Sequence, residues 1–148
     1  MKLFITLLCL ASTQIFAFSV LRTPKSLNAT IVHSSVSESD FSLNIKEIGQ
    51  CSLTSSDIKK CRLEEATASI GTKVFDLDKM VVIDNSKQGS LHAYLFYFYG
   101  KVPFLNGKKS RTTRIAVLFD KDYKAVNAHS KIDDLHFTEQ MIIEEVKF

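Results

Sequence analysis

The spacing of hydrophobic residues along the chain first indicates β-strands. Phe41, Leu43 and Ile45 alternate with polar residues, which is the period-two pattern of a strand with one buried face. Residues 91–99 give the strongest strand signal because five aromatic side chains fall within six positions. A hairpin signal and two further strand segments follow, at Asn106-Gly107, 112–119 and 124–128. These segments predict an antiparallel meander.

Two other segments show the spacing of amphipathic helices. One lies between an N-cap signal at residues 54–57 and a stop at Gly71. Its apolar positions are Ile58, Cys61, Leu63, Ala66 and Ile70. The other covers residues 139–147 and is capped by Thr138, with Met141, Ile142 and Val146 on its apolar side. We therefore predict an α+β fold, in which a helical layer packs on a small antiparallel β-meander with an extra N-terminal strand and a C-terminal helix.

Residues 1–17 have the features of a cleaved signal peptide. Lys2 supplies a positive start, an apolar run follows, and Ala17 is a small residue at the cleavage point. The alternative, a membrane anchor, needs about 20 mostly apolar residues, and polar residues 12–14 interrupt the run too early. We expect an exported chain, periplasmic or secreted, with a loosely ordered arm at residues 18–40 and a single α+β domain at residues 41–148.

Removal of the leader also removes Cys9 and leaves Cys51 and Cys61. In an exported protein such a pair is expected to form a disulfide bond. The alternative is two free thiols, with Cys61 on the predicted helix and too far from Cys51 to bond. Zinc is disfavoured because no second cysteine pair lies in the chain to complete a ligand set.

Composition and charge narrow the function mainly by exclusion. Hydrophobic residues make up 45% and charged residues 24%, which is ordinary for a packed domain. A formal charge of +3 is lower than nucleic-acid-binding domains usually carry, so no nucleic-acid partner is expected. The motifs of nucleophilic enzymes and metalloproteases are missing. His129 and His136, which flank Asp133-Asp134, are interpreted as part of a solvated loop and not as metal ligands. Together with the missing motifs, this predicts a non-catalytic chain with no metal and no cofactor.

The predicted hairpin tip concentrates positive charge. Its basic residues are Lys101, Lys108, Lys109, Arg111 and Arg114. Such a tip is suited to an acidic protein partner, or to weak contact with an anionic membrane surface. The alternative is an ordinary solvated loop, since runs of charge commonly do no more than keep a surface hydrated.

The aromatic strand is apolar on both faces. Tyr94, Phe96 and Phe98 point to one side, whereas the intervening residues Leu95, Tyr97 and Tyr99 point to the other. One explanation is a central strand covered on both sides. The other is that one face is an exposed patch that binds a partner, and this hypothesis assigns Tyr94, Phe96 and Phe98 to the contact surface.

Three segments resemble the BamE/SmpA family of bacterial envelope proteins. They are the acidic run 64–72 ending in Ile70-Gly71-Thr72, the strand 94–97, and the strand 114–120 ending in Phe119-Asp120. The similar order and spacing extend over residues 54–128. Lys73 and Tyr123 depart from the family's usual proline and glycine, and its lipid-bearing cysteine is missing. The resemblance implies a helical layer on a three-stranded antiparallel sheet, and a scaffolding role without catalysis.

The prediction is therefore an exported, non-catalytic protein-binding or scaffolding domain of the bacterial cell envelope, with envelope assembly components as partners. The alternative is a secreted inhibitor or effector that binds a foreign enzyme or host protein. A third hypothesis, a small hydrolase, requires a nucleophile paired with a histidine such as His92 or His129, and the sequence cannot place such a pair.

Overall fold

Antiparallel pairing of successive strands builds a closed β-barrel. The computed structural model describes residues 21–32, 38–88, 93–103, 110–132 and 138–148. Within these ranges each strand pairs with the next, and β1 pairs with β8 to close the sheet. The strands are β1 (Ser26–Val32), β2 (Glu38–Ser55), β3 (Ile58–Ile70), β4 (Lys73–Asp84), β5 (Tyr94–Pro103), β6 (Ser110–Phe119), β7 (Ala125–Ile132) and β8 (Thr138–Lys147). The helical content of the described ranges is a single 3-10 turn at Ser86–Gln88.

The predicted α+β fold is therefore wrong. The first predicted helix is β3, which is hydrogen-bonded to β2 and β4. The predicted C-terminal helix is β8, which pairs with β7 and β1. The chain has no helical layer in its described parts, because the strands cover one another's inner face by closing on themselves.

A β-bulge explains why β3 looks helical in sequence. Cys61 and Leu63 are buried in the first half of the strand, and Ala66 and Ala68 in the second. The exposed pair Glu64-Glu65 between them shifts the register against both neighbours. Because one inserted residue reverses the alternation, the buried positions acquire the irregular spacing of an amphipathic helix.

The same effect occurs in β8. Ala29 of β1 pairs with Ile143, whereas the preceding residue Asn28 pairs with Glu145, so Glu144 is an extra residue in the ladder. Met141 and Ile143 lie on the inner side before this bulge and Val146 after it. Ile142, which the helix prediction placed on the apolar side, is 55% exposed.

The segment predicted as a loose N-terminal arm contributes the strand that closes the barrel. Leu27, Ala29 and Ile31 of β1 are at most 2% exposed, and β1 has a hydrogen-bonded neighbour on each side. The predicted strand at Phe41–Ile45 is confirmed as part of β2. The aromatic strand, its returning partner and the segment that follows are confirmed as β5, β6 and β7. The predicted turn Asn106-Gly107 lies outside the described residues.

Large apolar side chains fill the described part of the barrel interior. Phe96, Phe98, Phe119, Ile115 and Val117 are each 0% exposed. The rings of Phe96 and Phe119 meet edge to face at 5.4 Å between centroids. An eight-stranded barrel is just wide enough to be filled by its own side chains or to hold one small ligand. In this chain, side chains fill the barrel interior around Phe96, Phe98 and Phe119, so this part of the barrel is a packed core.

An aromatic cluster closes one end of the barrel. The Tyr94 and Tyr123 rings stack with centroids 4.5 Å apart, and the Phe148 ring contacts Tyr123 at 5.3 Å and Phe119 at 5.6 Å. The Arg22 guanidinium lies 4.9 Å from the centroid of the Phe148 ring. The backbone N–H of Arg22 donates a hydrogen bond to the Tyr123 hydroxyl at 3.2 Å. Burial raises the pKa of Tyr123. The N- and C-terminal segments are thus tied together at this end.

Candidate binding surface

The aromatic strand β5 presents its two faces to different environments. Phe96 and Phe98 are 0% exposed inside the barrel, and Tyr94 is 8% exposed beside Tyr123. A partner approaching the folded barrel cannot reach these three side chains. The candidate contact surface therefore lies on the opposite face, where Tyr97 and Tyr99 are half-buried and point outward.

Strand pairing aligns Tyr99 with four cations in a row around the outside of the barrel. From β3 to β7, each of these residues is the direct cross-strand partner of the next. In order they are Arg62, Lys79, Tyr99, Arg114 and Lys131. Two of the neighbouring pairs, Arg62–Lys79 and Arg114–Lys131, have like charge. Since like charges directly opposite each other destabilise a sheet, folding alone does not favour this row. We call it, together with Tyr97, the basic–aromatic surface.

The two tyrosines are in contact with the cations. Lys79 Nζ lies 4.3 Å from the centroid of the Tyr99 ring, and Arg114 Cζ lies 5.3 Å from that of Tyr97. Both distances are within the range of cation–π attraction, worth roughly 0.5–1 kcal/mol at exposed sites. The rings therefore hold the charged groups against the barrel wall while leaving their outer sides open to a partner.

Two shallow hollows border the row. The first, of about 630 Å³, runs along β2, β3 and β4, and its wall includes Lys60, Arg62, Lys79 and one carboxylate, Asp78. The second, of about 170 Å³, has apolar walls from Leu95, Tyr97, Ala116 and Leu118, with Asn127 and His129 at its side. A second carboxylate, that of Glu64, forms an ion pair with Arg62, with 3.3 Å between the Glu64 oxygen and the Arg62 Nε. Cations thus outnumber the two carboxylates named here, and an apolar recess adjoins them.

His129 connects the apolar hollow to the charged row. It pairs across the sheet with Ala116, which is 1% exposed. Lys131 is two residues further along β7 and therefore points to the same outer face. Burial, and secondarily the positive charge of Arg114, lowers the pKa of His129 below its ordinary value of 6.5. The imidazole is therefore neutral at neutral pH, and a nearby anion would make it easier to protonate.

The predicted basic hairpin tip lies partly outside the residues that the structure describes. Arg114 belongs to the basic–aromatic surface, and Lys101 is exposed on the same outer face of β5, opposite Thr112. The Arg111 backbone pairs with Val102 on β5. Lys108 and Lys109 lie outside the described residues. Among the described residues, the positive charge of this region therefore extends along the barrel wall from Lys101 and Arg114 to the cations of β3, β4 and β7.

Sequence analysis missed Arg62, Lys79 and Lys131 as members of one surface. They lie on three different strands and are separated by 17 and 52 positions along the chain, by difference of their numbers. Only strand register brings them together. One part of this surface could have been predicted from the sequence. If Phe96 and Phe98 point into the interior, strand alternation requires Tyr97 and Tyr99 to point outward.

The predicted disulfide is present and joins neighbouring strands. Cys51 of β2 and Cys61 of β3 are direct cross-strand partners, with Sγ atoms bonded and Cα atoms 4.0 Å apart. The alternative of two free thiols depended on a helix that does not form. A disulfide of this kind is typical of proteins that fold in an oxidising compartment.

Other kinds of site are not assembled by the residues that the structure describes. No three His, Cys, Asp or Glu side chains in those ranges come close enough together to hold a metal ion. None of the described segments is a helix of the length and hydrophobicity required to cross a membrane. His33, His92 and His136 lie outside the described residues.

The fold and the surface define a class of protein: an eight-stranded up-and-down β-barrel with a packed core and an outer wall that carries aligned cations and tyrosines. Comparison with protein-family models, with curated proteins and with solved structures finds no match for the chain.

Proposed function

We propose that this chain is an exported, non-catalytic binding domain that recognises an acidic segment of a partner protein through the basic–aromatic surface. The row of four cations interrupted by Tyr99 carries the proposal. Its like-charged neighbours oppose folding, so a bound anionic partner gives them a role that the barrel does not.

Three further features support this kind of partner. Tyrosine and arginine are enriched at the energetically important positions of protein interfaces. The apolar hollow beside Tyr97 offers a recess for a side chain flanked by acidic residues. The packed interior at Phe96, Phe98 and Phe119 leaves the outer wall as the accessible surface at this level of the barrel.

The non-catalytic part of this proposal is a prediction from the sequence, which carries none of the motifs of nucleophilic enzymes or metalloproteases. The role in envelope assembly that the BamE/SmpA resemblance implies, and the alternative of a secreted inhibitor, remain predictions. The fold does not support the envelope-assembly role, because the resemblance implies an α+β architecture and this chain forms a closed β-barrel. Location in the envelope or in the medium separates the two.

The test compares charge-reversal variants in binding to a defined probe. A fluorescent glutamate-rich peptide containing one leucine is titrated with wild-type protein and with the Lys79→Glu/Arg114→Glu double variant. We expect the double variant to bind at least about tenfold more weakly, because two charge contacts become repulsive. Wild-type binding should weaken as salt is added.

Lys121→Glu is the matched control, since Lys121 is an exposed cation in the turn before β7 and outside the row. It should bind like the wild type. Equal binding by the double variant and the wild type would contradict the proposal. So would tighter binding to single-stranded DNA of equal charge than to the peptide, because that result would indicate a nucleic-acid ligand.

A further inference from the structure

The β2 strand continues beyond its pairing with β1, and no other described strand pairs with that edge of it. Its pairing with β1 ends at Asn44, and the last backbone bond to that side runs from the Ile45 N–H to the Lys25 carbonyl. From Lys46 to Ser55 the strand pairs only with β3 among the described residues. All but one residue of this stretch are exposed, the exception being the half-buried Gly49.

After Lys46 and Glu47, this edge lacks the usual protection against strand addition. Natural sheet edges carry lysine, proline or other charges that prevent another strand from pairing. The chain from Ile48 to Ser56 contains no charged residue and no proline. The Cys51–Cys61 disulfide also holds the extension firmly to β3, which reduces the entropy that a new strand would have to remove.

Two exposed apolar residues share one face of the edge. Ile48, Cys51 and Leu53 pair with Leu63, Cys61 and Lys59, which all lie on the same side of β3. Ile48 would otherwise point to the opposite face from Cys51 and Leu53, but a register shift between Ile48 and Cys51 places all three on the same face. Ile48 is 37% exposed and Leu53 is 55% exposed.

A hollow of mixed polarity lies beside Ile48. It has a volume of about 480 Å³. Its apolar part comes from Leu21, Pro24, Ile45, Ile48 and Phe148, and Arg22, Lys25 and Lys46 also line it. The hollow therefore adjoins one end of the free edge, and the protruding Leu53 lies near the other end. In an antiparallel pair of such edges, each Leu53 would stand opposite the Ile48 of the other strand.

We propose that the β2 edge binds a second copy of this chain, forming a two-fold symmetric dimer with a continuous sheet. The two edges run antiparallel between residues 48 and 53, and Leu53 of each copy enters the hollow beside Ile48 of the other. The arrangement is self-complementary, because one edge supplies both the protruding side chain and the recess that receives it. Residues 48–53, which form the apposed stretch, carry no charge themselves. This inference does not rest on the proposed function.

The test is sedimentation equilibrium of the oxidised chain over a wide concentration range. We expect twice the mass of one chain for the wild type. Leu53→Lys should raise the dimer dissociation constant by roughly 100-fold, since two leucine side chains lose their apolar contacts. Val126→Lys is the control, because Val126 is similarly exposed, at 51%, but lies on β7. It should dimerise like the wild type.

A second variant tests the backbone pairing itself. The 4.0 Å Cα separation of Cys51 and Cys61 is that of a non-hydrogen-bonded pair, so the N–H of Leu53, two residues on, points away from β3. Leu53→Pro removes this outward donor without removing a β2–β3 bond, and should also yield monomers. If Leu53→Pro fails to fold, Leu53→Lys decides alone. A wild type that stays monomeric at the highest concentration overturns the proposal, as does a Leu53→Lys variant that dimerises normally.

Discussion

His129 lies next to the basic–aromatic surface and is half-buried. Its pKa in the folded chain lies below 6.5 because of burial and then of Arg114. The unfolded chain therefore takes up a proton before the folded chain does. His129 contributes stability that is fully present above about pH 6.5 and is lost as the pH falls through the lower pKa of the folded state.

Binding of an acidic partner should depend on pH in the opposite direction. A carboxylate placed near His129 raises its pKa, so the complex binds more protons than the free chain. We expect affinity for the glutamate-rich peptide to rise as the pH falls from 7 toward 5.5, while the melting temperature of the free protein decreases. His129→Gln should flatten both trends. Affinity that is independent of pH in the wild type would place the peptide away from His129.

Phe96 and Tyr97 are neighbours with opposite roles. Phe96 is 0% exposed and contacts Phe119, so Phe96→Ala should lower the free energy of unfolding by about 3–5 kcal/mol, the usual cost of removing a buried ring. Tyr97→Ala should leave stability within about 1 kcal/mol, since its ring is outward and half-exposed, yet weaken binding of the peptide. Urea unfolding and peptide titration measure the two effects. Similar losses of stability in both variants would contradict the assignment of faces.

At the scale of elements, the β2–β3 hairpin depends on its disulfide. The bond closes a loop with a sequence separation of 10, which in the chain-entropy model stabilises the fold by about 2–3 kcal/mol. We expect reduction, or the Cys51→Ala/Cys61→Ala double variant, to lower the melting temperature and to increase amide exchange in residues 48–63 first. An unchanged melt after confirmed reduction would contradict this role.

The elements differ in how well the sequence predicts them. Phe41–Ile45 and the strands β5 to β7 keep an unbroken alternation or a strong aromatic signal, and they were predicted correctly. The failures at β3 and β8 both occur at bulges, near Glu64-Glu65 and at Glu144. One extra residue changes the phase of burial from odd to even positions, and in a short window that change is indistinguishable from helical spacing. Whether a bulge forms depends on the neighbouring strand, which a local pattern does not contain.

At the scale of the whole molecule, barrel closure creates both the core and the surface. It joins β1 to β8 across nearly the full length of the chain, through pairs such as Ser26 with Lys147. Closure encloses Phe96 and Phe98, and the register of strands β3 to β7 aligns Arg62, Lys79, Arg114 and Lys131 on the outside. The sequence showed that β5 has two apolar faces and that Arg114 lies in a basic region. It could not show which face is accessible, since that depends on how the sheet curves.

The central claim is that this barrel functions through its outer wall. The most direct measurement is nuclear magnetic resonance of the isotope-labelled chain during titration with the glutamate-rich peptide. We expect saturable shift changes at Lys79, Tyr97, Tyr99, Arg114 and His129, with little change at Phe96, Phe98 and Phe119. Changes concentrated on the interior residues, or an outer surface that does not respond to the peptide, would contradict it.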